Sequence, residues 1–509
     1  MKVLREFLAA VRRRQDYVPA EVPTSAVAGH VLSSSIWSGF GFATTMLIQL
    51  VRSMIFARLL PPAAFGILCL ANVFTQFILL FANFGIGASI VYWKQLDRRD
   101  LATCWWGNIL IDIAIALLCV VFAFTSSRWT DHPETRWVIC LLATQFVLVS
   151  FGSVNNALMR RQFMFRRLAI VSVCSALATL LGGLLFIGLL GWEVYGLVGS
   201  MVLGTIVSVT LFFFQVPWLP SLTFSWRVLR EHINYGRWFL GVSLVTYGNQ
   251  NIDRALIGTT LTSTDLGYYE YASNLPMQVA IGLSTALSKV LFPAFASIRD
   301  DLAKLRQMLL RVIKYNAFII YPFLTGLALT APDFVQVAYG ETWLPIVWPT
   351  RVFCVYGMVR VLTNPIYSLC YGVGKPALPF KWSLIALPLN AAFIWYGVGS
   401  GNLAMVAAAK IFLPFFMLVT LVTEITRHVR MSTAQMLRAV LPAFTCCVVM
   451  AAVVFSFQQV PFMAGLAALP RLLILVLVGM VSYTAALRVV FQSDFKEAVR
   501  LTRRIIPSK

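Results

Sequence analysis

Charged side chains are scarce in this sequence. They make up 12% of its 509 residues, whereas hydrophobic residues make up 59%. Soluble globular proteins carry about a quarter charged residues, because their surfaces must be hydrated. The composition therefore excludes an ordinary soluble domain. It predicts a protein that crosses a membrane many times, with spans of about 20 apolar residues each.

Several features of enzymes and metalloproteins are also missing. The four histidines lie far apart, and the nine cysteines fall in apolar runs without the spacing of zinc ligands. The turn "YGVGKP" (371–376) lacks the phosphate-binding pattern G-x-x-x-x-G-K-[ST]. The first residues contain no apolar core of a signal peptide. We therefore expect no metal, no catalytic residues and no cofactor, with H⁺ or Na⁺ gradients as one source of energy.

Apolar runs between charged breaks predict an all-α membrane protein with about fourteen transmembrane helices. The predicted spans are 33–57, 65–91, 102–125, 136–157, 168–190, 194–216, 237–260, 266–290, 312–331, 350–371, 382–397, 402–423, 436–457 and 470–491.

Basic residues alternate strongly between the two sides of these spans. The termini and the even-numbered connections, together with the span ends next to them, hold 32 of the 41 Lys and Arg residues, whereas the odd-numbered connections and their adjoining span ends hold five. The positive-inside rule then places both termini in the cytoplasm. The net charge of +21 follows from this topology, so nucleic acid is not an expected partner. Apolar residues at helical spacing in 221–235 and 297–315 predict two interfacial helices.

The sequence contains a weak internal repeat. A shift of 201 residues aligns Gln49 with Gln250, Gly66 with Gly267, and "RRDL" at 98–101 with "RDDL" at 299–302. Six spans separate the copies, so both have the same orientation, as in transporters built from two parallel bundles. The predicted parts are an amphipathic segment 1–32, an N-lobe 33–216, a linker 217–236, a C-lobe 237–423, two further spans within 424–491 and a basic tail 492–509.

Polar residues form a stripe inside the seventh predicted span. Thr246, Asn249, Gln250 and Asp253 follow the i, i+3, i+4, i+7 spacing of one helix face. A charge in hydrocarbon costs about 2.5–3.5 kcal/mol, so such residues should face a cavity or a partner. A structural ion pair of Asp253, with either Arg254 or Arg52, is the alternative, and the pair with Arg52 could also act as an outward gate. The predicted cavity residues are Gln49, Arg52, Thr246, Asn249, Gln250, Asp253, Arg254, Arg360 and Lys410, with Asp112 and Glu270 as either ion-coupling carboxylates or structural hydrogen-bonding groups.

Two stretches resemble a known family. "IFARLLPPAAFG" (55–66) and "NIDRALIG" (251–258), followed by "LGYY" (266–269), are similar to landmarks of bacterial polysaccharide repeat-unit flippases. These belong to the multidrug/oligosaccharidyl-lipid/polysaccharide (MOP) exporter superfamily. The resemblance implies two pseudo-symmetric six-helix lobes plus two helices, in a bacterial inner membrane. Its implied cargo is an oligosaccharide on a polyprenyl diphosphate, flipped to the periplasmic leaflet without covalent change. A polymerase and a chain-length regulator are the implied partners, and we expect a monomer.

Three other functions compete with this one. A glycosyltransferring enzyme is disfavoured because the longest odd-numbered connection, 332–349, has two acids and no base. An ion-coupled exporter of drugs or cations would favour surplus carboxylates, whereas the central charges are four basic to three acidic. A flippase for the peptidoglycan precursor shares the architecture and stays open. The sequence does not identify the sugar unit, the type of polymer or the coupling ion.

Overall fold

The computed structural model describes residues 24–81, 90, 96–126, 134–216, 218–298, 301–429 and 431–490. These residues are helical almost throughout and contain no β-strand. The all-helical fold class predicted from hydropathy is therefore confirmed. Of the predicted N-terminal segment 1–32, only the part from Thr24 is described, and the basic tail 492–509 lies outside the described residues.

The described residues up to 298 form eight α-helices with defined bounds. They are α1 (Thr24–Leu59), α2 (Pro62–Leu79), α3 (Arg98–Ser126), α4 (Glu134–Arg161), α5 (Phe165–Gly183), α6 (Glu193–Gln215), α7 (Trp226–Thr260) and α8 (Ser263–Ser297). A π-helical turn, Leu184–Leu189, extends α5.

Among the residues described from 301 onwards, nine further α-helices follow, several of them short. They are α9 (Leu302–Leu329), α10 (Ala331–Ala338), α11 (Val347–Gly372), α12 (Ala377–Gly399), α13 (Leu403–Lys410), α14 (Phe412–Val429), α15 (Thr433–Gln458), α16 (Pro461–Ala464) and α17 (Ala468–Val490). A 3₁₀ turn, Glu341–Ile346, precedes α11. It lies with α10 in the connection 332–349, where the sequence predicted no helix.

Twelve helical stretches within the described ranges are long and apolar enough to cross a membrane. The long helices α7 and α8, of 35 residues each, are not among them. These two correspond to the seventh and eighth predicted spans, and α7 contains the polar stripe that lowers its hydropathy. The chain is a multi-pass membrane protein, and the count of fourteen spans stays a prediction.

The two interfacial helices predicted at 221–235 and 297–315 are not separate elements. Helix α7 runs without a break from Trp226 to Thr260, and α9 runs from Leu302 to Leu329. Their helical form is confirmed over 226–235 and 302–315, whereas their position at the membrane interface stays a prediction. The first turns of both helices contain no proline to interrupt their backbone hydrogen bonds.

The contacts divide the chain into two units, Met1–Gly267 and Tyr268–Lys509. In the first unit α3 packs on α4, α5 packs on α6, and α1 lies along α5. Helix α7 packs against α2 and α3 of this unit. In the second unit α9 packs against α11 and α15. The lobe boundaries at 216 and 237 stay a prediction.

Repeat-equivalent residues meet where α2 and α8 begin. A Cβ atom at Gly66 would overlap the carbonyl oxygen of Ser263, and one at Gly267 would overlap that of Pro62. The shift of 201 residues relates both Pro62 to Ser263 and Gly66 to Gly267. The contact is therefore reciprocal between the two repeat-equivalent pairs. Glycine at both positions allows the two backbones to touch.

An ion pair ties the last helix to the second unit. The Nε atom of Arg471 on α17 donates to Oδ1 of Asp333 on α10 at 2.6 Å, and the Asp333 side chain is buried. The Nε2 atom of Gln458 also donates to the carbonyl oxygen of Leu329, at 3.1 Å. The predicted pair of additional spans, α15 and α17, is thus held by polar contacts as well as by apolar packing.

Candidate functional site

Helix α1 presents a polar face to the interior of the first unit. Thr45, Gln49 and Arg52 follow the i, i+4, i+7 spacing of one face. Small residues bring α1 close to α5 on either side of this face. A Cβ atom at Gly41 would overlap Ala169, and the Phe56 ring lies directly over Gly183. The polar face therefore lies between two close helix contacts.

A cavity of about 390 Å³ opens beside this face. Its volume falls within the range of about 300–1,000 Å³ that is typical of small-ligand sites. Side chains of α1, α4, α5 and α6 form the walls. The lining residues are Thr45, Ile48, Gln49, Arg52, Val149, Asn156, Val171, Ser172, Ser175, Ala176, Thr179, Ser208 and Phe212.

The serine hydroxyls of α5 and α6 donate hydrogen bonds to backbone carbonyl groups. Ser172 donates to the carbonyl oxygen of Leu168 at 2.9 Å, and Ser208 donates to that of Thr205 at 2.9 Å. Ser175 donates across the helix interface to the carbonyl oxygen of Gly204 at 2.8 Å. Each hydroxyl has one proton and two lone pairs. This side of the cavity therefore offers hydrogen-bond acceptors.

The α1 and α4 walls offer donors instead. Arg52 supplies a guanidinium group and Gln49 supplies amide N–H groups. On α4, Oδ1 of Asn156 accepts from Nε of Arg160 at 3.0 Å, so the amide NH₂ group of Asn156 remains a donor. The hydroxyl of Thr45 is buried and has no hydrogen-bond partner among the described residues.

Arg52 gives the cavity its charge. The side chains that line the cavity within the described ranges include no carboxylate and no second basic group. A cavity with one cation and many neutral polar groups favours an anionic ligand that also has hydroxyl or amide groups.

The residues predicted on the seventh span lie on α7, and none of them is among the described residues that line this cavity. Thr246 donates to the carbonyl oxygen of Val242 at 2.7 Å, and Nδ2 of Asn249 donates to that of Val245 at 3.2 Å. Asn249 and Asp253 are buried, whereas Gln250 is exposed. Nη1 of Arg254 donates to the carbonyl oxygen of Gln250 at 3.4 Å. A ligand-binding role for the stripe, and the pair of Arg52 with Asp253, stay predictions.

The other predicted charges lie elsewhere. Asp112 is half-buried on α3, and Glu270 is half-buried on α8. In the second unit, the Arg360 guanidinium lies 6.0 Å from the centre of the Tyr367 ring. Lys410 is buried at the end of α13, immediately before the break at Ile411. Of the predicted site residues, the structure brings Gln49 and Arg52 together in the cavity.

Sequence reasoning missed most of the cavity wall. Asn156 on α4 and Ser208 on α6 each have a polar residue one turn before them, Ser153 and Thr205, but these short pairs are weaker signals than the stripe of the seventh span. Ser172, Ser175 and Thr179 follow the i, i+3, i+7 spacing, the same signal that marked the seventh span. This spacing of hydroxyl residues could have identified the α5 wall of the cavity from the sequence.

Comparison with known proteins gives the family and the fold. Residues 55–348 match the family described as polysaccharide biosynthesis protein. The chain is 25% identical to the lipopolysaccharide biosynthesis protein WzxC of Escherichia coli (strain K12), over 69% of this chain and 72% of that protein. It is 24% identical to the succinoglycan biosynthesis transport protein ExoT of Rhizobium meliloti (strain 1021), over 72% and 74%.

Solved structures share the fold at low sequence identity. The lipid II flippase MurJ in an inward closed conformation matches with a TM-score of 0.71 and 14% identity, over 91% of this chain and 99% of MurJ. An inward-facing multidrug resistance MATE transporter of the MOP superfamily matches with a TM-score of 0.63 and 15% identity, over 78% and 99%. The fold predicted from the sequence is thus that of MOP transporters. With its family match covering more than half of its length, the chain belongs to the polysaccharide biosynthesis protein family.

Proposed function

We propose that this protein flips oligosaccharide repeat units, linked to a polyprenyl diphosphate, from the cytoplasmic to the periplasmic leaflet. It does so by alternating access and makes no covalent change in the cargo. The product would feed the synthesis of a surface polysaccharide or exopolysaccharide. Membership of the family supports this function, as do relatives named for lipopolysaccharide biosynthesis and succinoglycan transport.

The polar cavity of the first unit is the observation that carries the proposal. Polar groups inside a membrane span are costly unless they face water or a ligand. Arg52 is the cation of this cavity, and its planar fork matches the oxygens of a diphosphate. The neutral amides and hydroxyls around it match the hydroxyl groups of a sugar. Diphosphate and sugar are the two polar parts of the proposed cargo.

The same cavity weighs against export of cationic drugs. A cationic ligand would need a carboxylate, and the described lining residues include none. A flippase for the peptidoglycan precursor remains the second candidate, because its cargo is also a lipid-linked sugar diphosphate. The likeness to MurJ concerns the fold, whereas the family match favours the polysaccharide branch.

The proposed setting is the inner membrane of a bacterium, with both termini in the cytoplasm and the protein acting as a monomer. A polymerase and a chain-length regulator would consume the flipped repeat units. An H⁺ or Na⁺ gradient would drive transport, with Asp112 and Glu270 as the candidate coupling carboxylates. Consumption of the lipid-linked product in the periplasm is the alternative driving force.

The pool of lipid-linked oligosaccharide in depleted cells tests the function. Lipids are extracted from cells that lack this protein and from cells that re-express wild type, Arg52→Gln or Arg227→Gln, and complete repeat units are quantified by mass spectrometry. Arg227 is a matched control, because its exposed guanidinium pairs with Glu231 near the start of α7. We expect complete units to accumulate on depletion, and wild type and Arg227→Gln to clear them, whereas Arg52→Gln does not. An unchanged pool on depletion would exclude the proposed function.

A further inference from the structure

We infer that the cavity of the first unit holds the head of its cargo in one orientation. In this arrangement the diphosphate contacts the donor groups of α1 and α4, and the first sugar contacts the serines of α5 and α6. The inference rests on the proposed function, because it divides the proposed cargo between the two walls.

The serine wall is chemically unsuited to phosphate. Ser172, Ser175 and Ser208 each already donate their one proton to a backbone carbonyl. Their oxygens can only accept further hydrogen bonds, and a diphosphate at neutral pH consists of acceptors. Sugar hydroxyls and acetamido N–H groups are donors, and they complement this wall. Ser172, Ser175 and Ser208 are therefore assigned to the sugar.

The opposite polarity holds for the wall formed by α1 and α4. Arg52 has five N–H donors and no acceptor, and its charge attracts an anion. Oδ1 of Asn156 already accepts from Arg160, and the amide NH₂ group of Asn156 is a donor. Donors from two helices thus converge on the same cavity. An anionic group gains most from this wall, and the neutral sugar is left with the serine wall.

Tight packing fixes the serine wall in place. The bond from Ser175 to the Gly204 carbonyl oxygen links α5 to α6. A Cβ atom at Gly204 would overlap the hydroxyl of Thr179, which itself donates to the Ser175 carbonyl oxygen at 2.9 Å. The acceptor oxygens are therefore positioned before the cargo arrives, which reduces the entropy cost of binding.

Binding of defined probes to the purified full-length protein in lipid nanodiscs tests the orientation. The probes are inorganic pyrophosphate, a short-chain prenyl diphosphate carrying a disaccharide, and the same compound with every sugar hydroxyl methylated. The variants are Ser175→Ala, Ser208→Ala and Arg52→Gln. Ser482→Ala is the matched control for Ser208→Ala, because both hydroxyls donate to a carbonyl of their own helix and Ser482 lies on α17, outside the cavity. Thermal melting checks that each variant is folded.

Variants of the two walls should differ in which probes they bind more weakly. Loss of one hydrogen bond weakens binding about two- to tenfold. We expect this loss for Ser175→Ala and Ser208→Ala with the disaccharide probe, with no change for pyrophosphate or the methylated probe. Arg52→Gln should weaken all three probes, by more than tenfold for pyrophosphate, and Ser482→Ala should change none.

Three results would overturn the orientation. One is equal weakening of pyrophosphate and disaccharide probe by the serine variants, and another is a methylated probe that binds wild type as tightly as the unmethylated disaccharide probe does. Failure of every probe to bind wild type would also overturn it. That failure would leave the proposed function standing if depleted cells still accumulate repeat units.

Discussion

Asp333 and Arg471 form an ion pair in which the two partners differ in burial. The Asp333 side chain is 7% exposed, whereas that of Arg471 is 30% exposed. If the pair is broken, Arg471 can turn its guanidinium towards water, but the carboxylate of Asp333 cannot. A buried charge without a partner is more costly than the pair itself is favourable. The two single substitutions should therefore differ in their effect.

We expect Arg471→Met to destabilise the protein more than Asp333→Ala. Arg471→Met leaves the buried carboxylate unpaired, at a cost of about 2–3 kcal/mol after allowance for the partial exposure of the pair. The double variant should be more stable than Arg471→Met alone, because it removes that carboxylate. The melting temperatures of the purified variants give the order of their stabilities. Disruption of the exposed pair of Arg227 and Glu231 by Arg227→Gln is the control and should leave the melting temperature unchanged. Equal melting temperatures for the two single variants would contradict the argument.

Sequence reasoning could recognise part of the cavity at the level of single residues. Arg52 and Gln49 were predicted because a charge and an amide inside an apolar span demand an explanation. The serines were not, because a hydroxyl in a helix can satisfy itself by donating to a carbonyl one turn earlier, as Ser172 does. Their acceptor role depends on which helices surround them, and a single sequence does not contain that information.

At the scale of helices, glycine determines how closely the starts of α2 and α8 approach each other. Gly66 lies against the Ser263 carbonyl, and Gly267 lies against the Pro62 carbonyl. No side chain separates the two backbones at these points. The four residues of this contact thus form two pairs that the sequence shift of 201 makes equivalent. The contact gives the weak repeat a structural reason for retaining glycine in both copies.

We expect Gly66→Ala and Gly267→Ala to destabilise the protein by about 1–3 kcal/mol each, because the added methyl group overlaps backbone that cannot move aside like a side chain. Gly241→Ala is the control, since a Cβ atom there meets nothing within 4 Å. In a helix, alanine is favoured over glycine by about 1 kcal/mol, so this control should be neutral or stabilising. The melting temperatures of the three purified variants, each compared with wild type, test this prediction. A loss of stability in Gly241→Ala equal to that of the other two would remove the contact as the cause.

Helix positions were predictable, and some helix ends were not. Each predicted span overlaps a helix, because spans of this length are set by the thickness of the bilayer. The ends at Trp226 and Leu302 were missed because α7 and α9 continue through amphipathic residues that hydropathy excludes from a span. Helix α10 was missed because eight residues are too few to show a periodic pattern.

The distribution of basic residues over the whole molecule has two origins. Most of them lie on the side predicted to be cytoplasmic, as membrane insertion requires. Five arginines lie on the side predicted to be periplasmic, and three of them make the following contacts within the fold. Arg471 pairs with Asp333, Nε of Arg351 donates to the Ala328 carbonyl oxygen at 3.1 Å, and Arg136 lies 5.3 Å from the centre of the Trp137 ring. These exceptions are explained by folding contacts, so they do not weaken the predicted orientation.

The orientation itself can be measured across one helix. Helix α12 has 23 residues and spans about 34 Å at 1.5 Å per residue, enough to cross the hydrocarbon layer. Exposed residues flank it, Lys375 before its start and Ser400 after its end. The positive-inside prediction places Lys375 in the cytoplasm and Ser400 in the periplasm. A thiol at each position would therefore lie on opposite sides of the membrane.

We expect a membrane-impermeant maleimide to label Ser400→Cys in intact spheroplasts and Lys375→Cys only after the membrane is permeabilised. The nine native cysteines are buried or half-buried, so wild type supplies the background for both variants. Labelling of Lys375→Cys in intact spheroplasts, with Ser400→Cys protected, would reverse the orientation. The proposed direction of transport would then be wrong, although the cavity chemistry would be unaffected. Labelling of both positions in intact spheroplasts would show that α12 does not cross the membrane.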